Sequence, residues 1–224
     1  MGVNELARRI GVNASTASRL LATLERGRLV ERDPGGPYRL GLHLVTLADR
    51  VLAGLDVRDR ARPLLARLVA QTGETATLSL PGDGEAVTVD FIPAASSIVS
   101  MARLGRSSVG HATAAGKVVL AYTRERVWRD EAPLTAYTRR TITDRGALDA
   151  QLAAVREHGI AEAVGEREAD LAALAAPVLG RGGELVAILG LQGPLTRLPA
   201  TKRRALRAPL LAAAAELGRA LGRA

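Results

Sequence analysis

With 224 residues, 47% of them hydrophobic and 24% charged, the chain is long enough for one large or two small domains and too apolar to be disordered. It has no cysteine, which excludes disulfides, thiolate metal sites and cysteine nucleophiles; His43, His111 and His158 lack the short spacing of a metal pair, so neither metal nor cofactor is expected. The formal charge of +8 comes from 31 basic against 23 acidic side chains, and all but two of the bases are arginine.

No basic-then-apolar leader opens the chain, and Leu6 stands where a myristoylation signal after Gly2 needs Ser or Thr. No apolar run approaches the ~18 residues of a bilayer span, so a cytoplasmic protein without membrane contact is expected. Residues 1–40 carry seven arginines and a net charge of +3, residues 200–224 carry +5, and the middle is neutral. A basic N-terminal segment suits a polyanion, because phosphate neutralisation supplies most non-specific nucleic-acid affinity. One Phe, one Trp and three Tyr are too few for the aromatic platforms of single-strand binders, which leaves duplex DNA as the favoured partner.

Helical spacing of Leu6, Ala7, Ile10, Ala17, Leu20, Leu21 and Leu24 predicts helices over 3–10 and 14–26, broken at Gly11-Val12-Asn13, with Asn13 as N-cap of the second. A helix–turn–helix needs a small residue in its first helix, a turn residue tolerating positive φ, and apolar positions locking the helices together. Ala7, Gly11, Ala17 and Leu20 meet those needs in order. Asn13, Ser15, Thr16, Ser18, Arg19 and Thr23 are then left for DNA, where short hydroxyls suit phosphates and base edges and an arginine can bind guanine or clamp a phosphate. Residues 29–32 and 38–40 flank the turn-rich Asp33-Pro34-Gly35-Gly36-Pro37 and predict a β-hairpin, a wing that sets Arg32 and Arg39 near the DNA backbone. The alternative is a helical hairpin whose polar residues merely face water.

Beyond the hairpin, helices are predicted over 42–55 and 58–71, strands over 75–80, 86–92 and 98–104, helices over 112–122 and 145–157, strands over 174–179 and 184–192, and a helix over 200–222. The fold class is α+β: a winged helix–turn–helix over 1–41, a linker helix over 42–56, and an α+β domain over 57–224. Two chemical signals fail. Gly110 to Lys117 has five residues between its glycines where a phosphate loop has four, and Val118 replaces the Ser or Thr that binds magnesium. Glu162, Glu166, Glu168 and Asp170 lie in one short segment without a histidine and read as a solvated loop. No nucleophile elbow is visible, so no catalytic residue is assigned and no enzyme is expected.

The chain resembles the IclR family of bacterial transcriptional regulators over nearly its whole length. Residues 5–12 and 15–24 with Tyr38-Arg39-Leu40-Gly41 resemble the family's winged helix–turn–helix. Thr72-Gly73-Glu74-Thr75, His111-Ala112-Thr113-Ala114-Ala115-Gly116-Lys117, Thr141-Ile142-Thr143-Asp144, Ala175-Ala176-Pro177-Val178 and Gly193-Pro194 follow in the family's order. The resemblance implies a GAF-like effector domain and a homodimer or dimer of dimers on palindromic operators, with DNA affinity altered by a small organic acid or similar metabolite. It also implies an effector pocket at the start of the 111–117 helix, including Ala114 and Ala115, and around Ala173 and 190–192; a helix N-terminus with free amides suits a carboxylate. Ala173 stands where a cysteine or serine is common, Gly190 and Gln192 where serines often lie, and Ala163 where an acid often lies. The pocket is therefore expected to have lost most polar groups and to favour a bulkier or less polar ligand than a two- or three-carbon keto acid, with Arg103, His111 and Gln192 as remaining polar contacts.

The family's further helix before Glu5-Leu6-Ala7 is not matched, so Leu6, Ile10 and Leu20 are expected to keep apolar surface exposed. The expected function is a one-component repressor whose effector shifts the relative placement of paired recognition helices, on half-sites about one helical turn, or a multiple of it, apart. The alternative is a metabolite sensor that has lost sequence-specific DNA binding.

Overall fold

A computed structural model describes residues 1–34, 36–53, 56–82, 84–95, 104–105, 107–123 and 133–222, without the side chains of 49, 52 and 53. The chain forms two compact units, Met1–Leu55 and Asp56–Ala224.

The first unit opens with α1 (Val3–Ile10) and α2 (Ala14–Arg26), whose bounds coincide with those predicted. Gly11 adopts φ +69°, the left-handed conformation that turns the chain between the helices without the penalty a Cβ would add. The Asn13 side chain accepts a hydrogen bond from the Thr16 amide, 2.8 Å, and satisfies one of the four amides that a helix start leaves unpaired. Asn13→Ala is expected to cost about 1 kcal/mol of the unit's stability while Asn13→Gly costs only a few tenths, readable as loss of amide-exchange protection in α2.

Ala7 and Ala17 are buried where the helices cross, as expected, but the third locking residue is Leu21. Leu20 is 47% exposed and Ile10 48%, and Leu6 is half-buried. Leu21 lies one turn beyond Ala17 on the same face, which a locking position requires. The hairpin follows as β1 (Val30–Arg32) and β2 (Tyr38–Leu40), paired antiparallel. Met1 exchanges two backbone hydrogen bonds with Tyr38, so the first residue is tied to the wing. Helix α3 (His43–Ala53) closes the unit and exposes Val45, Leu47 and Val51.

The second unit is built on a six-stranded antiparallel sheet in the order β5-β4-β3-β8-β7-β6, with helices as the α+β reading expects. Its elements are α4 (Asp56–Thr72), β3 (Thr75–Pro81), β4 (Ala86–Ile92), β5 (Ser107–Ser108), α5 (Ala114–Tyr122), α6 (Arg145–His158), β6 (Ala161–Val164), β7 (Leu171–Leu179), β8 (Leu185–Pro194) and α7 (Ala200–Leu221). Helices α4 and α7 pack together and onto the sheet, and α5 with α6 form a second layer against β6, β7 and β8. Alternation along the strands divides the core. Ala76, Leu78, Leu174, Leu189 and Leu191 are fully buried with Leu65 and Leu68 of α4 and Leu210 and Leu217 of α7, whereas Ala161, Ala163, Ala175 and Ile188 join Val118, Leu148 and Leu152 under α5 and α6.

Three predicted elements need correction. Strand β6 occupies part of the acidic segment read as a solvated loop, and β7 begins three residues earlier than predicted. Helix α5 starts at Ala114, because Thr113 takes the cap and accepts from the Gly116 amide at 3.0 Å. Most of the strand predicted over 98–104 lies outside the described residues; the strand described beside β4 is Ser107–Ser108.

Buried and half-buried carboxylates tie the layers together. Glu74 binds Arg197 and Lys202 at 2.6 and 2.8 Å, Asp90 binds Arg62 and Arg58 at 3.0 and 3.4 Å, and Glu162 of β6 binds Arg203 and Arg207 of α7 at 3.1 and 2.6 Å. Burial raises the Glu74 and Glu162 carboxyls, and the hydrogen bonds from their basic partners outweigh it, so both are held below the usual carboxylate range. A folded pKa below the unfolded one gives stability that is present above the unfolded value and lost as pH falls through the folded one. Thermal stability is therefore expected to fall from about pH 4 downward, and the fall should be shallower in Glu74→Gln and Glu162→Gln. An identical slope in both variants would dissociate these carboxylates from the acid transition.

Candidate DNA interface and effector cavity

On α2 the exposed face carries Ser15, Thr16, Ser18 and Arg19, whose side chains have no partner among the described residues. Two other members of the predicted DNA-binding set are engaged within the helix. Asn13 holds the cap, and Thr23 donates to the Arg19 carbonyl, 3.0 Å, while accepting from Arg26 at 3.3 Å. On the wing, Arg39 pairs with Glu31 and Asp33 at 3.2 and 3.4 Å, and Arg32 lies over the Tyr38 ring, 5.6 Å from its centre. Both arginines are exposed, and such pairs in water are worth little, so they remain exchangeable for phosphate. The free group nearest the middle of α2 is thus Arg19, flanked one turn earlier by Ser15 and Thr16.

In the second unit a cavity of about 80 Å³ lies between the sheet and the amino end of α5. Its origin is in side-chain size: Ala163, Ala173, Ala175 and Gly190 sit on strand positions facing α5, and together they fill too little of the layer. Five of the predicted effector residues, Ala114, Ala115, Ala173, Gly190 and Gln192, line it. Arg103 lies outside the described residues. His111 is not among the residues lining this cavity; its Nε2 is 2.9 Å from the Thr135 carbonyl and its ring packs on Tyr137 at 5.8 Å between centres.

The expectation that the pocket had lost its polar groups is corrected. Thr77, Ser79, Thr88 and Ser108 line it with hydroxyls, and Glu166, Arg167 and Glu168 add charges. The four hydroxyls lie on strands whose polar and apolar alternation reads identically for a solvent face and for a cavity face. Arg167 donates to the Ser107 carbonyl at 3.0 Å and lies over the Tyr137 ring.

Behind the cavity, Lys117 is fully buried. An ammonium has three protons, and those of Lys117 go to Gln151 Oε1 at 2.8 Å, the Glu162 carbonyl at 3.0 Å and Glu166 Oε1 at 2.7 Å. Its nitrogen is also 2.7 Å from Glu166 Oε2, a charge contact that leaves that oxygen without a hydrogen bond among the described residues. Burial pushes the ammonium below the usual lysine range and the Glu166 carboxylate partly restores it. Thr138 and Thr141 donate to the Glu166 carbonyl at 3.3 and 2.5 Å, fixing the residue from a second side. Of the acidic segment, Glu166 is thus buried against Lys117 and Glu162 is half-buried, while Asp170 is exposed, and the Gly110 to Lys117 segment is a capped helix start with a sequestered lysine.

A helix–turn–helix with a basic, hydroxyl-bearing second helix and a wing, in one chain with an α+β unit enclosing a polar cavity, defines a DNA-binding regulator with an effector domain. Residues 1–34 match the IclR helix-turn-helix domain and residues 49–219 match the family described as bacterial transcriptional regulator IclR C-terminal. The chain belongs to the IclR family of transcriptional regulators. It is 31% identical to the HTH-type transcriptional regulator XynR of Escherichia coli, across 98% of this chain and 89% of that one. With KdgR of the same organism it is 30% identical, across 99% and 86%. Among solved structures, an IclR transcriptional regulator from a Silicibacter species superposes with a TM-score of 0.86 at 30% identity, over 99% of this chain and 89% of that one. An IclR homologue from Microbacterium hydrocarbonoxydans, complexed with 4-hydroxybenzoate, superposes with a TM-score of 0.71 at 26% identity, over 98% and 92%. These matches favour the regulator over a sensor without DNA binding. No helix among the described residues is long and apolar enough to cross a membrane.

Proposed function

We propose that this chain is a cytoplasmic repressor that binds an inverted-repeat operator as a homodimer, or as a dimer of dimers, and changes its operator affinity when a small organic acid enters the cavity at the start of α5. The observation that carries the reading is the exposed set Ser15, Thr16, Ser18 and Arg19 on the second helix of the motif, with Arg32 and Arg39 on the wing beside it. Two-fold symmetry of the protein would match half-sites about one helical turn, or a multiple of it, apart. Exposed Leu47 and Val51, one turn apart on the same face of α3, support pairing of two linker helices, which would cover them. A small organic acid is supported by the amides at the start of α5, by Arg167 and by the carboxylate ligand named for the Microbacterium homologue.

The test is fluorescence anisotropy of the chain on a duplex from its own upstream intergenic region, beside a random duplex, at two salt concentrations. Preference for the upstream duplex that survives the higher salt is the expected result. Equal binding to both, collapsing with salt as counterion release requires, would reject sequence-specific regulation by this chain.

A further inference from the structure

Thr77 and Gly190 are directly opposed on β3 and β8, and both face the cavity. A Cβ placed on Gly190 would lie 2.5 Å from Thr77 Oγ1. The hydroxyl of Thr77 therefore fills the space that any side chain at position 190 would claim. Thr77 is only 9% exposed, and its hydroxyl has no hydrogen-bond partner among the described residues. A nearby pair behaves differently: Ser79 and Thr88 share a hydrogen bond at 3.4 Å. A hydroxyl that opens onto a cavity and bonds no protein group is completed by water or by the ligand that displaces it.

The rest of the wall limits that occupant. At one end the amides of Ala114 and Ala115, the first two residues of α5, have no acceptor within the helix, and with Arg167 they favour a carboxylate. On the adjoining side Glu166 and Glu168 disfavour a second anionic group and accept hydrogen bonds. About 80 Å³ is roughly half the ~150 Å³ of an apolar cavity that takes benzene, which favours an aliphatic chain of a few carbons over an aromatic ring.

Resting on the regulator reading above, we infer that the effector is a small aliphatic monocarboxylate bearing a hydroxyl group, and that Thr77 is the residue that selects for that hydroxyl. The selection works because a site with a buried polar group rejects an analogue that leaves the group unpaired.

The test is calorimetric titration of the full chain with lactate, propionate, pyruvate and 4-hydroxybenzoate, repeated on Thr77→Val and Thr77→Ser. Lactate is expected to bind about 10-fold more tightly than propionate, the worth of one hydrogen bond, and more tightly than the aromatic acid. Thr77→Val, which keeps the shape and breaks no existing hydrogen bond, should retain its melting temperature and its propionate affinity and lose the lactate preference; Thr77→Ser should keep it. Equal lactate and propionate affinities in the parent chain, no binding of either, tighter binding of 4-hydroxybenzoate or pyruvate, or a preference that survives Thr77→Val would each overturn the inference. Operator anisotropy on the same preparations separates the two readings: specific DNA binding with no lactate preference removes the hydroxy acid and keeps the regulator.

Discussion

Lys117→Met is expected to destabilise the second unit by about 3–5 kcal/mol, a large share of the stability of a domain this size. The substitution fills the methylene space of the lysine, so little of the loss comes from packing. What remains is a buried Glu166 carboxylate in the cavity wall with its compensating charge gone, together with Gln151 and a Glu162 carbonyl that lose their donor. The double variant Lys117→Met, Glu166→Gln should recover most of the stability, because it removes the uncompensated charge along with the pair. Urea unfolding of the parent, the two single variants and the double variant measures the coupling. A single variant that unfolds at the parent's midpoint would mean the pair is not the tie its burial implies.

Arg19→Ala is expected to weaken operator binding by about 1–3 kcal/mol, some 5- to 150-fold, with the fold unchanged. Arg19 is exposed and its side chain makes no hydrogen bond or ion pair among the described residues, so its removal should leave the melting temperature where it was. If it reads a guanine, the loss falls on the operator and relaxes discrimination at one base pair; if it clamps a phosphate, operator and random duplex weaken together and the salt slope drops by about one. Arg204→Ala, the same loss of charge on an exposed position of α7, controls for net charge. Anisotropy titrations at two salt concentrations distinguish these outcomes. Equal effects of the two substitutions would remove Arg19 from the interface.

The DNA-binding unit was legible almost residue by residue because each of its signals is local. Gly11 marks a positive-φ turn, Asn13 a cap, and the spacing of Ala7 and Ala17 a helix crossing, none of which needs knowledge of the rest of the chain. Leu20 and Leu21 show the limit: adjacent leucines satisfy the same apolar pattern, and only the crossing itself decides which is covered. In the second unit the resemblance led to Ala114, Ala115, Ala173, Gly190 and Gln192, since strand and helix positions carry over with the fold. It missed Thr77, Ser79, Thr88 and Ser108 because a hydroxyl on an alternating strand gives no sign of what lies over it. Strand β6 was hidden for a related reason: three of its four residues, Ala161, Glu162 and Ala163, have weak β-propensity, and Glu162 looks solvated until Arg203 and Arg207 are brought to it from α7.

The opposition of Thr77 and Gly190 also governs how this pocket can change over generations. A hydroxyl at that point of the cavity can be carried by β3 or by β8, but not by both, since a side chain on residue 190 collides with the one on residue 77. Substitution at either position is therefore conditional on the state of the other, and Gly190→Ser should be tolerated only after Thr77 has been shortened. Such epistasis would let the specificity-bearing group migrate between neighbouring strands across a lineage while the backbone and the chemistry it presents stay the same.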